Sequence, residues 1–344
     1  ASASVEAGPL WGSVDRWFAH HDSVPSDVNG LLFGLFGATT SANASKRDEL
    51  RGRVERTQSE VGDDPVLFGF RGMGAQERGD LDEAERHAAR ALEMDPTGSS
   101  GAHPMAHVYF ERGDHSAGIA WLESWLPTAD DAAEFTTHLH WHAALHRLAL
   151  GHADHVLEAY SARLCRPEPR SLVDRTSMLW RLQLHGVVDP GVDPSEADYP
   201  KPLRDSVDFV PTTMMGVHVA LGLAALGDGD SLRRLAETAV ASKTPGAAHF
   251  VSPIALALAD HIDGNFEAAA DRLLSIEDEM ALLGGSHAQR EVFEDTLIDS
   301  LIRAGRHVDA ESHLRARLQR RPNDVDQQWM NACSSAGVGP PRHE

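Results

Sequence analysis

The chain has 344 residues, with 52 acidic against 31 basic side chains and a formal charge of −21. That balance opposes a phosphate backbone and an anionic lipid surface alike, so neither nucleic acid nor a membrane is an expected partner. The two cysteines, Cys165 and Cys333, stand far apart in neither a zinc-knuckle nor a disulfide pattern, and a reducing cytoplasm is the expected compartment.

Residues 1–64 carry Trp11, Trp17 and Phe18, the apolar run Leu31-Leu32-Phe33-Gly34-Leu35-Phe36 and a charged segment from Lys46 to Glu60. The run is too short to span a bilayer. The segment reads as two or three helices capping an array, because the end of a stack of repeats must cover its own apolar face. Ala19-His20-His21-Asp22 reads better as a polar helix end than as a metal or acid-base cluster.

Pro65 to Pro96 reads as one helix-turn-helix unit. Phe68, Gly72, Ala75, Ala84, Ala88, Ala91 and Pro96 stand where a tetratricopeptide unit places small, apolar and terminating residues. Gly79-Asp80 marks the turn, and Gly113-Asp114 repeats it 34 residues later. Further helix-Gly-helix units follow at Gly151, Gly186, Gly227, Gly264 and Gly305, at intervals of 38, 35, 41, 37 and 41 residues. The expected fold class is all-α: a tetratricopeptide-type α-solenoid over residues 65–333 with an N-terminal helical cap over 1–64. The segment 187–211, with five prolines, is expected not to be helical and reads as a lid or as a solvated excursion between repeats. Residues 334–344 read as a flexible tail.

Candidate chemistry lies in the histidines, 20 in all. His103 with His107 and His138 with His142 are His-x3-His pairs, which a helix places on one face, and the pairs are 35 residues apart. Stacked repeats would bring the four imidazoles toward one groove. Zinc takes such half-sites, yet HExxH is absent and Pro104 threatens to leave His103 ahead of its helix. The competing reading is a set of hydrogen-bonded buried histidines, and the expectation is that no metal or other cofactor is needed.

Gly284-Gly285-Ser286-His287-Ala288-Gln289-Arg290 contains a capping box, Ser286 with Gln289. His287 and Arg290 then fall in a helical first turn, where a cation is electrostatically misplaced. A bound anion, or a glutamate from a neighbouring helix, would resolve the mismatch. Asp174, Ser177, Trp180 and Arg181 recur at helical spacing in Asp174 to Leu182, and His218 lies on another first helix facing the same groove.

Four stretches, HPMAHVYFERG from His103, HLHWHAAL from His138, DRTSMLWRL from Asp174 and GGSHAQREVF from Gly284, together resemble the family of tetratricopeptide repeat protein 38 over about residues 65–325. The resemblance implies an α-solenoid and no defined activity. Two departures stand out: Phe110 occupies a position where the family has glutamate, with Glu111 next to it, and Gly216 replaces an aspartate two residues before His218.

The expected function is therefore a small-molecule-binding α-solenoid with a His-rich polar pocket on its concave side and a small anionic ligand. If it is an enzyme, His142 or His287 carries the proton in metal-independent acid-base chemistry. His103, His107, His138, Trp141, Ser177, Trp180, His218 and Arg290 form the expected binding set. Two alternatives stay open: a protein-interaction scaffold holding a partner in the concave groove, and a metal-dependent enzyme using the His pairs.

Overall fold

The structure, a computed structural model, describes residues 14–39, 42–130, 134–166, 171–194 and 200–337. Its regular structure is entirely helical, with no strand among the described residues. Three helices open it: α1 (Val14–Ser23), α2 (Val28–Thr39) and α3 (Ala44–Val61). Then come the pairs α4 (Pro65–Glu77) and α5 (Leu81–Met94), α6 (Ser99–Arg112) and α7 (His115–Trp125), and α8 (Glu134–Ala149) and α9 (Ala153–Ala159). They are followed by α10 (Ser171–Leu184), the short α11 (Pro200–Asp205), α12 (Thr213–Ala225) with α13 (Gly229–Ala241), and α14 (Ser252–Ile262) with α15 (Phe266–Leu274). The chain closes with α16 (His287–Arg303), α17 (His307–Arg320) and α18 (Asp324–Gly337). None of these is long and apolar enough to cross a membrane.

Local chemistry sets the boundaries. Asp64 caps α4 through the amides of Val66 and Leu67, with Pro65 in the first turn. Asp80 and Asp228 cap α5 and α13 in the same way. Gly79, Gly113, Gly151, Gly186, Gly227, Gly264 and Gly305, the turn glycines of the sequence, all adopt φ between 68° and 81°. Only glycine takes that left-handed conformation at little cost, so each ends a helix and lets the next fold back.

Burial separates two kinds of helix. Every residue from Asp174 to Leu184 in α10 and from Gly216 to Ala225 in α12 is buried, and α16 is nearly so. Others bury one stripe, such as Ala84, Ala88 and Ala91 in α5 or Leu232, Leu235, Ala236 and Ala239 in α13. A helix covered all round is internal, and a striped one is external. The internal helices follow one another in contact, α4 on α6, α6 on α8, α8 on α10, α10 on α12, α12 on α14 and α14 on α16.

The C-terminal helices also fold back on the middle of the chain, α16 on α10 and α18 on α8. His115 Nε2 donates to the carbonyl of Pro322 at 3.1 Å, and a Cβ at Gly113 would stand 2.5 Å from the Pro322 ring. The N-terminal helices form a separate small core, in which Phe18, Leu31, Ala38, Leu50 and Val54 cover Leu67 of α4. Trp11 and the side chains of Phe33, Leu35 and Phe36 lie outside the described residues. His20 and His21 are structural: His20 pairs with Asp27, and His21 lies between Thr57 and Arg53.

Three expectations change. The 187–211 segment is not a solvated excursion, since Val188, Leu203, Val207 and Val210 enter the main core, and it holds the short helix α11. One end of it is anchored, since Asp193 is pinned at 2.7 Å to Arg175 and accepts from Tyr160 Oη at 3.0 Å, and residues 195–199 lie outside the described residues. Residues 334–337, expected in a flexible tail, belong to α18, which runs to Gly337, and residues 338–344 lie outside the described residues.

Candidate metal centre

Pro104 does not displace His103 from its helix. Helix α6 starts at Ser99, so Pro104 sits in its second turn, where it forgoes one amide bond, and packs on Gly72 of α4. His103, His107 and Glu111 consequently form an i, i+4, i+8 stripe on α6, and His138, His142 and His146 form the equivalent stripe on α8. Each member of the second stripe is 35 residues beyond its counterpart.

Because α6 lies against α8, the upper members of both stripes meet. His103 Nε2 is 3.1 Å from His107 Nε2 and also 3.1 Å from His138 Nε2. The His142 ring lies 4.4 Å, centroid to centroid, from His107 and 4.8 Å from His138. One nitrogen from each of the four falls within 4.8 Å of all the others. His138 Nδ1 faces Asp174 Oδ1 of α10 at 2.8 Å, and its ring stacks on Trp141 at 5.1 Å.

Proton accounting makes this cluster unusual. With the Nδ1–H of His138 donated to Asp174, Nε2 is the ring nitrogen that turns a lone pair to the cluster. His103 Nε2 cannot be both the donor to one neighbour and the acceptor from the other. Nδ1 of His107 and both ring nitrogens of His142 have no hydrogen-bond partner, and both residues are fully buried. Each buried polar atom left in that state costs about 1–3 kcal/mol. A cation at the centre turns the converging lone pairs from a liability into ligands. Four nitrogens about 2.0–2.1 Å from one zinc ion in tetrahedral array stand roughly 3.3 Å apart, close to the two 3.1 Å contacts of His103, while the remaining pairs fall within 4.8 Å. The Asp174–His138 contact is the carboxylate that orients a metal-binding imidazole.

No known protein-family model matches the chain.

Electrostatics fits neutral, ligand-ready imidazoles. Burial holds His107 and His142 well below their ordinary range, and neighbouring histidines add to the effect. His142 therefore does not suit the proton carrier expected of it, being enclosed and unprotonated near neutrality. His146, the third member of its stripe, is pushed down to about 3, first by burial, and meets His115 Nδ1 at 3.1 Å instead of the cluster.

Other expected residues take separate places. Trp141 and Ser177 support the cluster from behind: Trp141 Nε1 donates to Ser177 Oγ at 3.0 Å, and both are buried. Trp180 lies apart, donating to Thr296 Oγ1 of α16 at 2.9 Å and packing edge-on to His261. His218 donates through Nδ1 to the carbonyl of Met214 at 2.8 Å, and burial lowers its pKa to about 4. The charge of Asp174 still reaches it.

The mismatch at the start of α16 is resolved by glutamates. The Ser286–Gln289 capping box forms. Glu77 of α4 accepts from the His287 amide at 3.2 Å and from Arg290 at 3.3 Å, while His287 Nδ1 lies 3.1 Å from both oxygens of Glu111. Arg290 also donates to the carbonyls of Gly284 and Gly285, so it is occupied as a clamp rather than held out for an anionic ligand. His287, Glu291 and Glu294 make a second group with convergent ligand atoms. There Arg317 and Arg321 hold Glu291 and Arg320 holds Glu294, which leaves little negative charge for a cation.

Asp174, Glu77 and Glu111 were not in the expected site. Spacing signals existed for two of them: Asp174 follows His138 by 36 residues, one repeat, and Glu111 follows His107 by one turn. Phe110, where the resembled family has glutamate, is buried under Arg321, whose guanidinium lies 4.2 Å from the ring centroid.

Proposed function

We propose that the protein is a tetratricopeptide-type α-solenoid built around a divalent transition-metal centre, and that it acts as a metal-dependent enzyme on a small anionic molecule. The observation that carries this reading is the convergence of His103, His107, His138 and His142, with Asp174 behind His138. The solenoid reading draws support from contacts one repeat apart in sequence: His103 with His138, His138 with Asp174 and Trp141 with Ser177.

An all-imidazole ligand set is neutral, so a bound dication keeps its full charge and acts as a strong Lewis acid on water or on an anionic ligand. His107 and His142 are fully buried, whereas His103 and His138 are partly exposed, so a water joining the four imidazoles as a fifth ligand, or replacing one of the exposed pair, would approach from their side. Imidazole without thiolate suits zinc, copper, nickel or iron rather than magnesium or calcium. This replaces the expectation of a metal-free site. The scaffold alternative is weakened because α10, α12 and α16 are buried in the core, where a partner helix would need an open groove.

Zinc titrated calorimetrically into untagged protein is expected to bind with one equivalent. His107→Ala should abolish that binding, and Asp174→Asn should weaken it about 10–100-fold. Zinc binding that survives in His107→Ala would locate the ion elsewhere.

A further inference from the structure

Beyond the ligands, a second pair of groups is built toward the same centre, and the inference drawn from it rests on the metal reading above. Glu111 lies one helical turn from His107 on the face of α6 that carries the histidine pair, a separation of about 5–6 Å between Cβ atoms. It holds His287 from the opposite helix by both carboxylate oxygens at 3.1 Å. The His287 amide is fixed by Glu77, and Ser286 with Gln289 fixes the helix start from which the ring projects. His287 thus spans from α16 to α6 beside the cluster, and its charge is among those acting on His107.

The orientation has a chemical consequence. With Nδ1–H donated to Glu111, Nε2 is the nitrogen left to accept a proton, and it has no hydrogen-bond partner among the described residues. The side chain is 29% exposed, unlike the enclosed His142, so a proton taken on Nε2 can leave to solvent.

We propose that His287, held by Glu111, is the proton-transfer residue of the metal centre, reaching the metal-bound water directly or through one further water. With a metal held by the histidines the step would balance without a redox partner: a bound water would give up one proton to Nε2, the hydroxide staying at the centre and the imidazolium staying paired with Glu111. Glu111 is a positioning residue in this scheme. Its other partner, Arg321, ties it at 3.3 Å to the C-terminal helices. The remaining charged groups facing the pair are Glu77 from α4, Arg290, Glu291 and Glu294 from α16, and Arg47 from α3 through its field on Glu77 and Arg290.

Cobalt(II) loaded into the full chain reports the bound water through its visible absorption. In the wild type the spectrum is expected to change with pH in two steps, separated by about one unit or more, because two interacting groups share the protons. His287→Gln should keep cobalt bound at one equivalent and reduce the change to one step. Glu111→Gln should keep cobalt bound and alter the two-step response, since the carboxylate that holds the His287 ring is gone. Identical titrations for wild type and His287→Gln, with cobalt bound in both, would overturn the role of His287 and leave the metal centre standing. Failure of the wild type to bind cobalt would overturn the centre itself, and this inference with it.

Discussion

Replacing Arg317 by methionine is expected to destabilise the protein by about 5 kcal/mol, the upper end for loss of one partner in a buried ion pair. Arg317 lies among three carboxylates: Asp295 at 2.6 Å, Asp326 at 2.9 Å and Glu291 at 3.1 Å, all about as buried as itself. Burial alone would lower its pKa, but Asp295, Glu291 and Asp326 outweigh that and raise it well above the usual guanidinium value. Arg181 and Arg321 complete the network on Asp295, Glu291 and Glu111. Four carboxylates face three guanidiniums, and the surplus negative charge shows at Asp326, whose pKa rises to about 6 through burial and the nearby Glu291 and Asp295.

A loss of that size is a third or more of the roughly 5–15 kcal/mol that holds an average domain folded. Arg320→Met is the control, because its pairing with Glu294 is half-exposed and worth at most about 1 kcal/mol. Urea unfolding followed by far-ultraviolet circular dichroism separates the two variants. Measured against the wild type at each pH, the Arg317 variant should also recover part of its loss as pH falls. Stranded carboxylates have folded pKa values above their unfolded ones, so the folded state binds more protons and is favoured by acid. Equal losses in the two variants would mean that the buried network does not clamp α16, α17 and α18.

The wild type, freed of metal, should behave in the opposite way and lose stability steeply between about pH 6.5 and 4. His218 and His146 have folded pKa values of about 4 and about 3, both set mainly by burial, against 6.5 for the model value. Between those values the unfolded chain binds more protons than the folded one, so stability is present above about pH 6.5 and is lost as pH falls. Each such group contributes about 1.4 kcal/mol per pH unit within its window. Buried neutral His107 and His142 act with the same sign. Asp326 has the opposite sign, being raised from 3.8 to about 6, and offsets one histidine over that range. His185, also lowered to about 4 by burial, joins His218 and His146, so the net after Asp326 is two groups, about 3 kcal/mol per pH unit, to which His107 and His142 add in direction. Thermal melts from pH 8 to pH 4 measure it, and a melting temperature unchanged between pH 7 and 5 would contradict neutral buried histidines. Zinc should raise the melting temperature at pH 7.5 and lose that effect at pH 5, where protons compete for the imidazoles.

The helical architecture was legible because turn chemistry is local. A glycine at positive φ ends a helix whatever lies around it, so Gly79, Gly113 and their five successors could be read one by one. The histidine stripes were legible for a related reason, since one turn on a helix and one repeat in an array are both fixed spacings. What escaped was contact between distant segments. Glu77 and Glu111 meet His287 across more than 170 residues, and no local period records that meeting. The sequence therefore left open whether an anion or a glutamate satisfies the first turn of α16. The 187–211 segment was misjudged in the same way, because its prolines are visible in the sequence and the Arg175–Asp193 pair that seats it is not.

X-ray absorption on untagged protein carrying one equivalent of zinc is the most direct test of the centre. Four convergent imidazoles require nitrogen scatterers at about 2.0–2.1 Å, with the outer-shell pattern of at least three histidine rings. A shell of oxygen neighbours without that pattern, or zinc that desalting removes, would contradict a metal held by His103, His107, His138 and His142.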